Sequence, residues 1–106
     1  MKRYNVDSTI GGWFVGNFEK AAYQTKDFEV ALKKHYKDEP YGKHYHEHVT
    51  EINLVVSGEI MVHNEVFGPG EIFILYPYEV ADPKFITDCE IICVKHPGIT
   101  NDKINL

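Results

Sequence analysis

Residues 44–58 carry the pattern on which the interpretation of this chain depends, and they read HYHEHVTEINLVVSG. His44 and His46 are two residues apart, so on an extended backbone their side chains share one face, about 6.6 Å apart. Two imidazoles so placed can approach one metal ion at about 2.1 Å each. Glu51 lies five residues after His46, and on a continuous strand its side chain would point to the opposite face. A short bend after His48 is therefore needed to bring its carboxylate to the same ion. The pattern predicts two imidazoles and one carboxylate on a divalent transition metal, with Fe, Mn, Zn and Ni all suited.

The strand predicted over residues 51–56 has one wholly aliphatic face and one mixed face. The aliphatic face consists of Ile52, Leu54 and Val56, and the mixed face of Glu51, Asn53 and Val55. A barrel wall whose mixed side lines a cavity would have this composition. The aliphatic side must then be covered by another sheet or by a second subunit.

Turn signals divide the rest of the chain into short segments rich in Val, Ile, Phe and Tyr. The predicted strands lie at 13–18, 51–56, 60–63, 72–76 and 91–95. Short strands at this spacing are typical of an all-β sandwich or barrel. Residues 28–36 fit helical spacing as well as strand alternation. We interpret them as a strand because their neighbours are β and because Phe28, Val30 and Tyr36 favour strands.

Length and charge narrow the function classes. The chain has 106 residues, which is enough for one domain, and a formal net charge of −5 without any basic cluster. Nucleic-acid binding needs a basic surface that neutralises phosphates, so neither nucleic acid nor an anionic membrane is an expected partner. Cys89 and Cys93 are too far apart along one strand for a disulfide, and no stretch is apolar enough for a signal peptide or membrane span. We therefore expect free thiols and a cytoplasmic protein.

At residues 44–58 the sequence resembles the cupin superfamily. The first cupin motif has a histidine pair one residue apart, a glutamate after a gap of three or four residues, and a glycine after six more residues. His44, His46, Glu51 and Gly58 meet each of these spacings. The resemblance implies an all-β double-stranded β-helix, also called a jelly-roll barrel, which agrees with a strand at 28–36. It further implies a single cupin domain over residues 1–106, with its core at about 28–96 and an N-terminal strand at about 13–18, and it implies homodimers.

The second cupin motif is only partly present. Residues 70–77 resemble its glycine, acidic residue and aliphatic strand, but the motif's final histidine falls on Ala81. The usual fourth metal ligand is therefore missing from its place. Asp82 and His48 are the two candidates that could substitute for it.

Other polar side chains are candidates for a ligand pocket. Asn53 points to the same side as Glu51, and a buried amide there needs a partner that a ligand or water would provide. Tyr36, Tyr76 and Tyr78 could line the pocket mouth, where a ring with a hydroxyl suits a sugar or aromatic ligand. His35 lies in a polar neighbourhood and is expected to be solvated.

Two functions compete on this evidence. The first is a metal-dependent cupin enzyme acting on a small polar molecule such as a sugar derivative, through isomerase, epimerase, lyase or dioxygenase chemistry. The second is a non-enzymatic module that binds or senses a small molecule. The absence of a histidine at position 81 favours the second function, because an incomplete ligand set is a route to lost chemistry.

Overall fold

A computed structural model describes residues 1–106, and its regular secondary structure is almost entirely β-strand. Its eleven strands are β1 (Trp13–Gly16), β2 (Tyr23–Gln24), β3 (Glu29–His35), β4 (His44–His46), β5 (Thr50–Ser57), β6 (Ile60–Val62), β7 (Glu65–Phe67), β8 (Ile72–Leu75), β9 (Lys84–Phe85), β10 (Cys89–His96) and β11 (Lys103–Asn105). One 3-10 turn, Val6–Ser8, precedes them. No helix has the length and apolar character that crossing a membrane would require.

The strands form one large sheet and two small ones. The large sheet has the order β2-β1-β3-β10-β5-β8, while β11 pairs with β4 and β6 lies between β7 and β9. All pairs are antiparallel except β1 with β2. Most adjacent strands of the large sheet are distant in sequence, because the chain crosses to the other layer before it returns to this sheet.

The core lies between the layers and is built from the inward faces of both. The buried cluster combines residues of the large sheet with residues of the small sheets and the 81–85 segment: Val55, Leu75, Cys89 and Ile91 with Ile60, Val62, Ala81 and Phe85. Burial of this apolar surface is the main stabilising term. The same inward faces carry the polar residues of the candidate site.

The segment at 28–36 is extended, as predicted. Strand β3 covers Glu29–His35 and pairs with β10 along its whole length, from Cys89 opposite His35 to Lys95 opposite Glu29. The alternation of buried Glu29, Ala31 and His35 with more exposed residues shows that period two, not the helical period, describes this segment.

The predicted division of the β5 strand into two faces is also correct. Asn53 and Val55 are buried and Glu51 is partly buried, whereas Ile52 and Val56 are exposed on the outer surface of the sheet. Strand β8 adds outward-facing Ile72 and Ile74 beside them, because Ile52 pairs with Ile74. The outer surface of the large sheet is therefore apolar where β5 and β8 meet.

Candidate functional site

A cavity of about 230 Å³ lies between the layers and is lined by 18 residues, ten of them hydrophobic. Its polar lining comes from several strands, including His44 on β4, Glu51 and Asn53 on β5, and Lys95 on β10. This mixture of apolar walls and a few convergent polar groups is typical of small-molecule sites. The volume suits a small metabolite better than a large cofactor.

His44 and His46 lie side by side on β4, and both are almost completely buried, at 3% and 4% exposure. Their rings are perpendicular, with centroids 5.4 Å apart, as expected for two side chains on one face of a strand. His44 Nδ1 lies 3.1 Å from the carbonyl oxygen of Gly42, to which its N–H donates. This contact leaves Nε2 of His44 with its lone pair free to accept or coordinate.

The His46 imidazole and the Glu51 carboxylate lie a few tenths of an ångström farther apart than two ligands on one ion. His46 Nε2 lies 3.6 Å from Glu51 Oε2, which is too long for a hydrogen bond. His46 Nε2 is buried and has no hydrogen-bond partner. Two donors that each lie about 2.1 Å from one metal are separated by about 3.0–3.4 Å in octahedral or tetrahedral geometry. An orphaned imidazole nitrogen at this distance from a carboxylate oxygen fits a shared cation.

Asn53 fixes the other oxygen of the same carboxylate. Its amide nitrogen donates to Glu51 Oε1 over 3.2 Å, which leaves Oε2 on the side of His46. The amide side chain is buried, as predicted, and its partner is the carboxylate. Outer partners of this kind orient metal-ligating carboxylates.

The electrostatics keep both imidazoles neutral near pH 7. Burial lowers the pKa of His44 and also that of His46, although the nearby Glu51 carboxylate acts in the opposite direction on both. The neutral imidazole is the form that coordinates a metal. The two histidines are therefore available as ligands without first losing a proton.

The bend that brings Glu51 round lies between β4 and β5, at residues 47–48, slightly before the position that the sequence predicted. Asp102 holds this bend from the C-terminal segment, since its buried Oδ2 accepts from the backbone N–H groups of His48 and Val49 over 2.9 and 3.0 Å. Its Oδ1 lies 2.9 Å from His48 Nδ1. Sequence reasoning missed Asp102, because only the fold brings it next to residues more than fifty positions away.

Neither predicted fourth ligand lies in the cavity. Ala81 occupies the place opposite His44, with which it exchanges two backbone hydrogen bonds of 2.8 and 2.9 Å, and its methyl group faces the cavity. Asp82, the next residue, is exposed and lines a separate surface depression. His48 is exposed and turned toward Asp102. The chain holds no group of three or more His, Cys, Asp or Glu side chains already arranged to hold a metal ion.

The predicted tyrosines lie outside the cavity. Tyr36, Tyr76 and Tyr78 are 74%, 59% and 66% exposed, and none of them is among the lining residues. Tyr36 and Tyr76 each follow the last residue of a strand, β3 and β8, where the chain turns outward. Tyr41 lines the cavity instead, and its ring lies edge-on to His44 with centroids 5.3 Å apart.

His35 was expected to be solvated, and this prediction is wrong. It occupies an inward position of β3, is 9% exposed, and stacks on Phe85 at 4.1 Å between centroids. Glu39 satisfies its Nδ1 at 2.8 Å. The polar neighbours that suggested solvation follow the strand end and fold back over this histidine.

Three lysines of the cavity lining were also missed. Lys33, Lys95 and Lys103 come from β3, β10 and β11 and are all partly buried. Burial lowers the pKa of Lys103, and the positive charges of Lys95 and Lys33 lower it further. Lysines at alternating strand positions are usually solvated, so nothing in the sequence distinguishes these three from the others.

Both cysteines are buried and free, as predicted. Cys93 lies beside Asn53 in register and lines the cavity. Burial raises the pKa of its thiol, which therefore stays protonated. It is not an activated nucleophile.

Comparison with known proteins supports the fold. No family model and no curated protein matches the sequence. A solved structure of an uncharacterized conserved protein with a double-stranded β-helix domain, from Klebsiella pneumoniae, superposes with a TM-score of 0.72 at 20% identity, covering 98% of this chain and 90% of that one. A cupin-2 domain containing protein from Shewanella frigidimarina gives a TM-score of 0.57 at 18% identity, with 68% and 72% covered.

A third solved structure has a stated activity. DMSP lyase DddQ from Ruegeria pomeroyi superposes with a TM-score of 0.69 at 12% identity, covering 88% of this chain but only 49% of that enzyme. This chain thus spans about half the length of that lyase. Likeness at these identities shows the fold, and the fold predicted from the histidine motif is confirmed. The chain has the fold of these cupin structures, a double-stranded β-helix, with its polar cavity between the two layers.

Proposed function

We propose that this chain is a metal-binding cupin that acts on a small polar molecule held in the cavity. The single observation that carries the proposal is the buried, unpartnered Nε2 of His46, 3.6 Å from Glu51 Oε2. Leaving a buried polar atom unsatisfied costs about 1–3 kcal/mol, and a cation that both groups share would remove this cost. His44, on the same face, would supply the third ligand.

A divalent ion bound there would act as a Lewis acid on a carbonyl, enediolate or carboxylate oxygen of the substrate, or would bind dioxygen. The chain contributes the rest. Asn53 orients the Glu51 carboxylate, and the Gly42 carbonyl holds the His44 tautomer with Nε2 free. Apolar residues such as Phe73 and Ile91 exclude water from the cavity floor.

The reaction class we favour is a lyase, isomerase or epimerase acting on a polar, oxygen-rich molecule such as a sugar derivative; a dioxygenase is the other candidate within the same site. The structural likeness to a DMSP lyase supports lyase chemistry, although that enzyme is twice as long. Asn53 and Tyr41 supply neutral polar groups that suit hydroxyl-bearing ligands. Burial raises the pKa of Tyr41, so its hydroxyl remains a hydrogen-bond donor.

A non-enzymatic binding or sensing module is the second candidate function. The observation in its favour is Ala81, which fills the place of the usual fourth ligand with a methyl group. Three ligands leave a weaker site than four. In this alternative the metal orients a bound ligand and no turnover follows.

We also propose a homodimer that buries the apolar outer surface where β5 and β8 meet. Ile72 and Val56 are 58% and 46% exposed on this surface, which is a large apolar exposure for one face of a sheet. Strand β8 is also an edge of the large sheet, and edge strands can pair with another chain.

We further propose a cytoplasmic location, because both cysteines are free and the cytoplasm keeps thiols reduced.

The test is the metal content of tag-free protein, measured by inductively coupled plasma mass spectrometry. The proposal predicts close to one transition-metal ion per wild-type chain and substoichiometric metal in His46→Ala. His48→Ala is the matched control, because His48 is two residues away but exposed and bonded to Asp102. Equal metal in all three proteins would refute the metal site. Ligand-induced thermal stabilisation without turnover of the same compound would select the binding module over the enzyme.

A further inference from the structure

Three ammonium groups converge on the cavity of a protein whose net charge is −5. Lys33 and Lys95 approach the same ring, with their Nζ atoms 5.6 and 4.8 Å from the centroid of Trp13. Lys103 Nζ lies 4.3 Å from the centroid of Tyr41. The three lysines come from three different strands, so the fold and not local sequence brings them together.

None of these ammonium groups is in contact with a carboxylate. Every ion pair in the chain has a histidine as its basic partner, and no carboxylate oxygen lies within 4 Å of any lysine. Lys95 lies opposite Glu29 on one neighbouring strand and opposite Glu51 on the other, yet neither carboxylate forms an ion pair with its ammonium group. Glu51 is engaged with Asn53 and His46.

Holding three like charges at a partly buried site is unfavourable. Desolvation disfavours each ammonium, and their mutual repulsion adds to the cost. Burial lowers the pKa of Lys103 and the charges of Lys95 and Lys33 lower it further, although the Glu51 carboxylate acts in the opposite direction. The contacts of the ammonium groups with the aromatic rings offset only part of this cost. An anion bound between the lysines would remove the repulsion and supply the missing partner.

We propose that Lys33, Lys95 and Lys103 bind an anionic oxygen group of the ligand, a carboxylate or a phosphate ester, while the remainder of the ligand extends toward His44 and Glu51. The lysines are partly exposed and the histidines are buried, so the charged group would sit nearer solvent than the reacting end. The inference rests on the proposed function in taking the same cavity as the ligand site. It adds the substrate class: an acid or a phosphorylated molecule, and not a neutral one.

The fluorescence of Trp13 offers a direct readout, because it is the only tryptophan in the chain and contacts two of the three lysines. Metal-free protein is titrated with inorganic phosphate, and separately with malonate, at constant ionic strength against chloride. We expect saturable changes in emission with at least one of the two anions, and preference between them identifies phosphate or carboxylate as the recognised group. Changes that are linear, or no larger than those caused by chloride, would overturn the proposal.

Charge variants supply the specificity test, with binding followed by calorimetry as well as by fluorescence. Lys103→Met should weaken binding of the preferred anion about tenfold, as loss of one charge-assisted hydrogen bond predicts. Lys103→Arg should restore most of the affinity. Lys34→Met is the matched control, since Lys34 follows Lys33 on the same strand but is exposed on the opposite face. Equal weakening by Lys34→Met and Lys103→Met would show a general charge effect and reject the site.

Because these titrations use metal-free protein, the two proposals can fail separately. Anion binding that depends on Lys103, in a protein that takes up no metal, would retain this inference and reject the metal centre. Metal binding without lysine-dependent anion binding would retain the metal centre and reject the anion site.

Discussion

Asp102 and His48 are joined twice, since the carboxylate accepts from the backbone N–H and from the imidazole Nδ1, each over 2.9 Å. The same carboxylate also accepts from the N–H of Val49. The two bonds from the backbone N–H groups of His48 and Val49 fix the bend between β4, which carries His46, and β5, which carries Glu51. A residue near the C-terminus thereby sets the relative position of two proposed metal ligands.

Replacing Asp102 should therefore affect both stability and metal binding. We expect Asp102→Ala to lower the free energy of unfolding by about 2–4 kcal/mol, because it leaves the buried Val49 N–H unsatisfied and removes the other two bonds. Metal affinity should fall as the bend loosens. Urea denaturation and metal calorimetry measure the two effects. Asp102→Asn keeps an acceptor oxygen and should lose less, and an Asp102→Ala protein as stable as the wild type would contradict this account of the bend.

Restoring a histidine at position 81 should strengthen the metal site. Ala81 faces the cavity directly opposite His44 in a hydrogen-bonded strand pair, where β-carbons lie about 5 Å apart. Ala81→His should raise metal affinity about tenfold or more, equivalent to about 1.4 kcal/mol. Calorimetric titration measures the gain. The larger side chain should lower the stability of the metal-free protein, because Ala81 is buried in the core. Unchanged affinity in a folded variant would show that the site lies elsewhere.

The turn glycines differ in what surrounds them. Gly58 has φ of +82°, and a β-carbon there would collide with the backbone carbonyl of Asp88. Gly70 has a similar φ of +84° but open space around it. Gly58→Ala should cost about 3 kcal/mol or more, from strain and overpacking, whereas Gly70→Ala should cost about 1 kcal/mol. Denaturant unfolding measures the loss in the free energy of unfolding for each variant. Equal losses would mean that φ alone matters at both positions.

The outer face of the large sheet should mediate self-association. Light scattering after size-exclusion chromatography should give a dimer for the wild type and a monomer for Ile72→Lys, because a lysine at this face would be desolvated in the interface. Ile10→Lys is the control, since Ile10 is also exposed, at 71% against 58% for Ile72, but lies outside the sheet. A wild-type monomer, or a dimer that survives Ile72→Lys, would contradict the proposed interface.

Sequence reasoning predicted those features that depend on neighbouring residues. Alternation in β5 assigned Asn53 and Val55 to the interior, and the spacing of His44 and His46 predicted their common face. The fold followed from the same stretch of sequence. Each of these inferences uses the period-two geometry of a strand, which local sequence encodes.

Features that depend on which strands become neighbours could not be predicted. Lys103 reaches the cavity only because β11 pairs with β4, and Tyr41 only because the segment after β3 folds back over the cavity. Tyr36 and Tyr76 were predicted at the pocket mouth but lie outside the cavity. Each follows the last residue of a strand, and the sequence does not specify in which direction the chain continues from there. The tertiary arrangement of the chain, and not its local sequence, decides all four positions.

Calorimetric titration of metal-free protein with Mn²⁺ and with Zn²⁺ tests the central claim most directly. We predict one ion per wild-type chain for at least one of the two metals, and affinities at least about 100-fold weaker for His44→Ala, His46→Ala and Glu51→Gln. His48→Ala and His63→Ala, which remove exposed imidazoles, should bind as the wild type does. Wild-type affinity in the first three variants, or loss confined to the last two, would contradict a metal held by His44, His46 and Glu51.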